Sequence, residues 1–472
     1  MTVTPLPERL DVTVDRDTRE LPGGRLVGGT PRRMLRLSET GRAALAELRR
    51  GTAVSPAARQ LGRRMTDAGL AHPAPAAAPA VDVTVVVPVR DRVEALDRCL
   101  ASIGGAHCVV VDDGSHDAAA VAAVVRRHGA RLIRREVPGG PAVARNAALR
   151  RTSTGSGIGT ELVAFLDSDC VAPPSWVERL AGHFADPLVG AVAPRVVPAG
   201  RAGSKRFGDR VGLLDLGTRP ARVQPLGRIA FVPTAALVVR RSALEASGGE
   251  FDAALRYGED VDLVWRLDAA GWRVRYDPAV EVAHDEAAGY ATRLARRFRY
   301  GTAAAPLAKR HPHASAHLVG SPWPFAAVAG VLTGRRAVAV AGAAGTLIGV
   351  GRALRRADAG ELSAATQGAR TLAGTWHGTG RYATQFGLPL LAAAAWRGGT
   401  RRAVTLAALV ATPPVVDWYA TRPGVPLTRY VAGRIPDDAA YGAGVYAGCV
   451  KERTAAPLRV VISRRAGERK PR

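Results

Sequence analysis

Between residues 83 and 285, apolar β-branched runs of strand length alternate with segments of helical periodicity. VTVVVPV (83–89), CVVVDDGS (108–115), RLIRREV (131–137), LVAFLDSDC (162–170), VGAVAPRVV (189–197), AALVVRR (235–241) and RVRYDPAVEVAHD (273–285) read as strands. A continuous apolar run, rather than an alternating one, marks a strand buried on both faces. RVEALDRCLASI (92–103) carries Val93, Leu96, Leu100 and Ile103 at helical spacing, and PAVARNAAL (141–149) opens on a proline suited to a first helical turn. A further helix is expected around 258–270. The alternation implies an α/β fold, a doubly wound and mostly parallel sheet with helices on its faces. The stretch 199–228, rich in glycine and arginine, predicts a long loop with one short helix.

In such sheets ligands bind in the crevice outside the carboxyl ends of the strands. Asp112 and Asp113 follow the second run, and Asp167 and Asp169 follow the fourth. A carboxylate there can accept hydrogen bonds from a nucleotide base or ribose. In extended backbone Asp167 and Asp169 share a face. Two hard oxygen donors beside a diphosphate suit Mg²⁺ or Mn²⁺. Taken singly, DDGS and DSD read more readily as plain turns, because Asp, Gly and Ser favour them.

Taken in order, VTVVVPVRDR, VVVDDGS, GGPAVARNAAL, AFLDSD and GEDVDLVWRL resemble the family-2 glycosyltransferases over about residues 83–285. The resemblance implies a nucleotide-sugar-binding fold of the GT-A type and an inverting, metal-dependent transfer from a UDP-hexose. It implies that Pro88 and Arg90, in the first loop, contact the nucleotide, with Asp112 and Asp113 on uracil and ribose. Arg145 and Asn146 would line the donor pocket. Asp167 and Asp169 match the metal motif, with Asp169 the direct ligand, and His284 matches a histidine that reaches the metal or diphosphate. Glu259 and Asp260 match the acceptor-side acidic pair, with Asp260 as catalytic base. Glu259 alternatively binds acceptor hydroxyls, and Asp262 competes for the role of base. Trp265 reads as core, with stacking on a sugar ring as the alternative, and Thr234 is a candidate for donor or acceptor contact.

Residues 1–72 read as a small α+β module: strands DVTVD (11–15) and RMLRLS (33–38), then helices 39–51 and 58–70 with Ser38 as N-cap and Gly51 as stop. The module weakly resembles the peptide-binding domains of ribosomal-peptide modification systems, which bind by adding a strand to an open sheet edge. A Pro/Ala linker occupies 73–82. This arrangement is similar to the glycosyltransferases of the mycofactocin system. It implies hexose (glucose) transfer to a peptide-derived redox cofactor, with a precursor peptide or biosynthetic proteins as further partners. The alternative acceptor is a polyprenyl-linked or cell-wall glycan.

Residues 291–472 carry most of the charge. From Arg293 onward there are 27 basic and 7 acidic residues, so this region holds +20 of the total +25. The excess sits among apolar runs at 322–332, 337–351, 386–396 and 403–416, broken by Arg335, Arg336, Arg397, Arg401 and Arg402. None reaches the roughly 18 residues of a clean membrane span. The pattern predicts helices lying on or dipping into an anionic cytoplasmic leaflet rather than a nucleic-acid-binding face, with bilayer-crossing hairpins and a soluble helical bundle as the alternatives. The four cysteines have no CxxC spacing, and the N-terminal residues have no apolar signal core. Both features lead to the expectation of a cytoplasmic enzyme at the inner face of the membrane, without a structural zinc site.

Overall fold

The computed structural model describes residues 4–8, 10–30, 32–51, 53–78, 82–104, 107–151, 160–200, 204, 206–286, 289–314, 316–356 and 363–462. The chain divides into two compact units, Met1–Ala202 with Val211–Glu286, and Gly203–Arg210 with Ala287–Arg472.

The first unit begins with two small sheets. Strands β1 (Val12–Val14) and β5 (Ala71–Pro73) pair antiparallel, as do β2 (Arg19–Leu21), β3 (Arg25–Gly28) and β4 (Arg33–Arg36) in that order. Helices Glu39–Arg49 and Pro56–Ala68 cover them. Ser38 and Ser55 accept hydrogen bonds from the third backbone N–H beyond each cap. Leu6, Leu26, Leu45, Leu48 and Met65 form a buried core. The linker starts inside β5, and Ala78 N–H donates to Glu178 O, so its described part runs against the next domain. Residues 79–81 of the linker lie outside the described residues.

The main sheet holds β6 (Val83–Val89), β7 (His107–Asp113), β8 (Arg131–Arg135), β9 (Leu162–Leu166), β10 (Cys170–Val171), β11 (Val189–Pro198), β12 (Ala221–Val223), β13 (Ala236–Arg240) and β14 (Arg273–His284). Its order is β10-β14-β11-β13-β9-β6-β7-β8, with β12 beside β14. The half β9-β6-β7-β8 is parallel, and the apolar runs of β6, β7 and β9 are buried as the sequence implied, whereas β8 at the edge is only half-buried. The other half is mixed. β13 runs antiparallel to both β9 and β11, whereas β14 is parallel to β11. The chain leaves β6 for β7 and β8 on one side and returns to β9 on the other. That reversal opens a crevice at the carboxyl ends of β6 and β9.

The second unit is helical. Its longest members are Arg336–Arg356, Ala364–Phe386, Gly399–Thr421 and Leu427–Lys451. The expectation that no segment reaches span length does not hold. Helices Arg336–Arg356 and Gly399–Thr421 are long and apolar enough to cross a membrane by length and composition. The apolar runs were shorter than the helices because each helix continues through its flanking arginines. Glycines set some of the packing: a Cβ on Gly442 would lie 1.6 Å from Gln385 O, and one on Gly444 would lie 1.9 Å from Phe298 O. Backbones meet there at a distance only glycine permits.

Candidate functional site

Each aspartate at the end of β7 faces an arginine in register on β8. Asp112 accepts from Ser115 N (2.9 Å) and from Arg134 Nη1. Asp113 accepts from Gly139 N (3.0 Å), Gly140 N (2.6 Å) and Arg135 Nη1. Both carboxylates are buried and already hydrogen-bonded. Asp113 thereby fixes the Gly139–Gly140 turn that leads into helix Pro141–Arg151. Sequence reading named the aspartates but missed Arg134 and Arg135. Their signal is the β7–β8 register, which a lone sequence does not reveal.

That helix brings Arg145 to the carboxylate that follows β9. Its buried guanidinium lies 5.5 Å from the Phe251 ring centroid. It donates from Nη2 to Asp167 Oδ1 (2.7 Å) and from Nη1 to Glu259 Oε1 (3.0 Å). Burial works to lower its pKa, but the Asp167 and Glu259 charges hold it above the usual arginine range. Asn146, the next residue, is used differently. Its amide donates to Phe251 O (2.8 Å) and accepts from Phe251 N (2.9 Å), which pins the loop under Arg145.

Glu259 and Asp260 open helix Glu259–Ala269, after Gly258 at φ 82°. The left-handed turn admits glycine without strain and aims the first helical turn at Arg145. Asp260 Oδ1 accepts from Val261 N (2.8 Å). Loss of hydration, and then the Glu259 charge, push the Asp260 pKa up to about 7, against the pull of Val261 N–H and Arg145. One arginine therefore joins carboxylates separated by 92 positions in the chain, with Asp260 beside them.

Asp167 and Asp169 do not lie on one extended face. Cys170 N donates to Asp167 O (2.9 Å), closing a turn that sends the two carboxylates to different partners. Asp169 Oδ2 receives Arg92 Nη1 and lies 3.6 Å from His284 Nε2. The antiparallel pair Cys170–His284 between β10 and β14 sets that approach. Among the described residues His284 Nδ1 is buried without a hydrogen-bond partner, 3.9 Å from Glu286 Oε1. Among the described residues no three His, Cys, Asp or Glu groups gather closely enough to hold a metal alone. One carboxylate and one imidazole are a donor set compatible with a divalent ion only if its other ligands were supplied from outside the chain.

The other candidates sit around this frame. Pro88 is the penultimate residue of β6, and Arg90 is exposed, 3.5 Å from Asp91. Thr234 is buried just before Ala235, whose carbonyl accepts from Asp167 N (2.9 Å). Trp265 donates from Nε1 to Ala230 O (2.8 Å), and Asp262 accepts from Arg266 one turn on (2.7 Å), so both have structural partners.

Residues 84–248 match the family described as Glycosyl transferase family 2. The chain is 39% identical to the pre-mycofactocin glycosyltransferase of Mycobacterium tuberculosis (strain CDC 1551 / Oshkosh), with 98% of this chain and 100% of that protein covered. It is 30% identical to the succinoglycan biosynthesis protein ExoU of Rhizobium meliloti (strain 1021), over 42% of this chain and 60% of that one. Among solved structures, GalNAc-T7 with UDP, GalNAc and Mn²⁺ aligns with 44% of each chain at a TM-score of 0.36 and 15% identity.

Proposed function

Because the chain belongs to glycosyl transferase family 2, and is 39% identical to a pre-mycofactocin glycosyltransferase over 98% of its length, we propose that it transfers a hexose, glucose, from a UDP-sugar with inversion to a peptide-derived redox cofactor precursor. The observation that carries the chemistry is the carboxylate group around Arg145, with an Asp260 pKa of about 7 at its edge. An acceptor hydroxyl is a poor nucleophile near neutral pH. A carboxylate whose pKa matches the working pH can take its proton as the new bond forms. Attack from the face opposite the departing diphosphate inverts the sugar carbon. Arg145 holds the Asp167 and Glu259 carboxylates in place through its two hydrogen bonds, which leaves Glu259 to orient acceptor hydroxyls. Asp169 and His284 would hold a divalent ion, which when bound supplies neutralisation of charge on the leaving diphosphate.

The substrate reading rests on the name of the relative and on its full coverage. Two further features support the partner readings. β4 has only β3 as a strand partner among the described residues, so it offers an edge for an added peptide strand. The helical unit exposes apolar side chains beside arginines, which suits an anionic membrane surface and a cytoplasmic enzyme at its inner face. That apolar surface also favours a second acceptor, a polyprenyl-linked or cell-wall glycan.

The deciding experiment incubates the full chain with a panel of UDP-sugars and each acceptor, with product masses as readout. The mycofactocin precursor is expected to gain hexose units from one donor. Transfer only to the polyprenyl acceptor would replace the first reading with the second.

A further inference from the structure

Resting on the metal reading above, we propose that Arg92 is a positioning residue with two states. It competes with the divalent ion for Asp169 Oδ2 and, once displaced, turns its guanidinium to the donor diphosphate. Asp169 Oδ2 is the atom that both Arg92 Nη1 and His284 Nε2 approach. The Asp169 side chain is only 10% exposed, so this oxygen has little room for a second cation, whereas Arg92 is 44% exposed. A side chain open to solvent changes rotamer at small cost.

The base of Arg92 does not move with it. Arg92 precedes helix Val93–Ile103, and its own side chain makes no capping bond there. The helix is held from below by buried Leu96, Cys99 and Leu100, and from the side by Arg98 Nη2 on Asp285 Oδ2 (2.5 Å). Asp285 N in turn donates to Asp169 O (2.9 Å). The helix and the Asp169 turn are linked here through that half-exposed ion pair, which adds little, and Arg92 swings on a helix held by its buried apolar face. A guanidinium presents a planar fork matched to phosphate oxygens, which a lysine does not. Released from Asp169, Arg92 has the ligand type that a diphosphate beside the metal requires. Arg92 would then leave Asp169 Oδ2 before it meets the donor diphosphate, so that Mn²⁺ binding and donor binding would be ordered.

The test titrates Mn²⁺ alone, then UDP at saturating Mn²⁺, against the full chain and its Arg92→Ala, Arg92→Lys and Arg98→Ala variants. Free Mn²⁺ is read by electron paramagnetic resonance and heats by calorimetry. Arg92→Ala is expected to bind Mn²⁺ alone about two- to fivefold more tightly, the worth of one part-exposed ion pair. It is expected to bind UDP about tenfold more weakly, having lost a charged hydrogen-bond donor. Arg92→Lys should fall between, and Arg98→Ala should leave Mn²⁺ affinity unchanged. Unaltered or weaker Mn²⁺ binding in Arg92→Ala overturns the proposal, as does an equal gain in Arg98→Ala, which would mark a general field effect. If the parent chain takes up no Mn²⁺ even with UDP, the metal reading fails as well.

Discussion

In the sheet-containing unit the apolar runs of β6, β7 and β9 are interior, and the charged groups gather at strand ends. Both units bury ion pairs, Arg63 with Asp186 in the first, and the helical unit differs in the large apolar side chains it leaves outside. Asp437 is 0% exposed and grips buried Arg293 through three contacts of 2.7–3.1 Å, while Trp396 is 92% and Leu390 75% exposed. Arg293 also rests on the Phe207 ring at 4.8 Å. The two span-length helices have only 17% and 22% of their most apolar stretches buried, unlike the core helix of a water-soluble bundle. Exposed apolar side chains on the second unit are what the proposed contact with a membrane surface would require.

The largest expected effect falls where charge serves chemistry. Asp260→Asn should lower turnover by about a thousandfold, within the usual range for a lost general base, and leave UDP affinity unchanged. Near-normal turnover would remove Asp260 from the proposed mechanism. In the parent chain kcat should rise with pH through about 7, because the base works only when ionised. Stability should move the other way. Between the unfolded value of 3.8 and about 7 the folded chain holds a proton that the unfolded chain releases, so stability falls as pH rises through this window. Asp260→Asn removes that penalty and should melt higher than the parent at pH 8, but not at pH 3.5. Paired melting curves at the two pH values check the sign.

A second contrast sets structural charge against catalytic charge. Arg293→Ala or Asp437→Ala strands a buried ion and should cost about 3–5 kcal/mol, seen as a lowered unfolding midpoint of the full chain. The double change Arg293→Met with Asp437→Leu should restore most of it, because neither charge remains unpaired. A double variant as unstable as the singles would mean that the network, rather than the pair, holds these helices.

The difference between the units also explains what could be read in advance. The strands of the main sheet were legible because β-branched runs buried on both faces have no polar face to hide them. β12 was missed, since the three residues Ala221–Val223 carry no periodicity and owe their conformation to β14. The residue types of the candidate site were legible, but their partners were not. Arg134 and Arg135 depend on strand register, and the Asp167–Asp169 turn depends on a single backbone hydrogen bond. Arg92 follows the first-loop Arg90 by two positions, yet only the fold brings it to Asp169. In the helical unit composition pointed to apolar segments but not to their length, because helix geometry continues through arginines that an apolar window excludes.

The smallest effect on stability should come with a clear effect on location. Helix Leu388–Arg397 contains no buried residue, although its sequence, LPLLAAAAWR, is almost wholly apolar. Arg397, Arg401 and Arg402 follow along the chain. In water such a helix gains little from its leucines and tryptophan. At a lipid surface they enter the acyl boundary while the arginines meet anionic headgroups. Leu390→Ser with Trp396→Ser should therefore change the unfolding midpoint by no more than the equivalent of about 0.5 kcal/mol, as for surface substitutions generally. The same variant should float poorly with vesicles containing anionic lipid, and the parent should lose part of its binding at high salt as the arginine attraction is screened. Equal flotation of parent and variant would mean that this helix faces a protein partner, and the contrast between the two units would then be one of assembly rather than membrane contact.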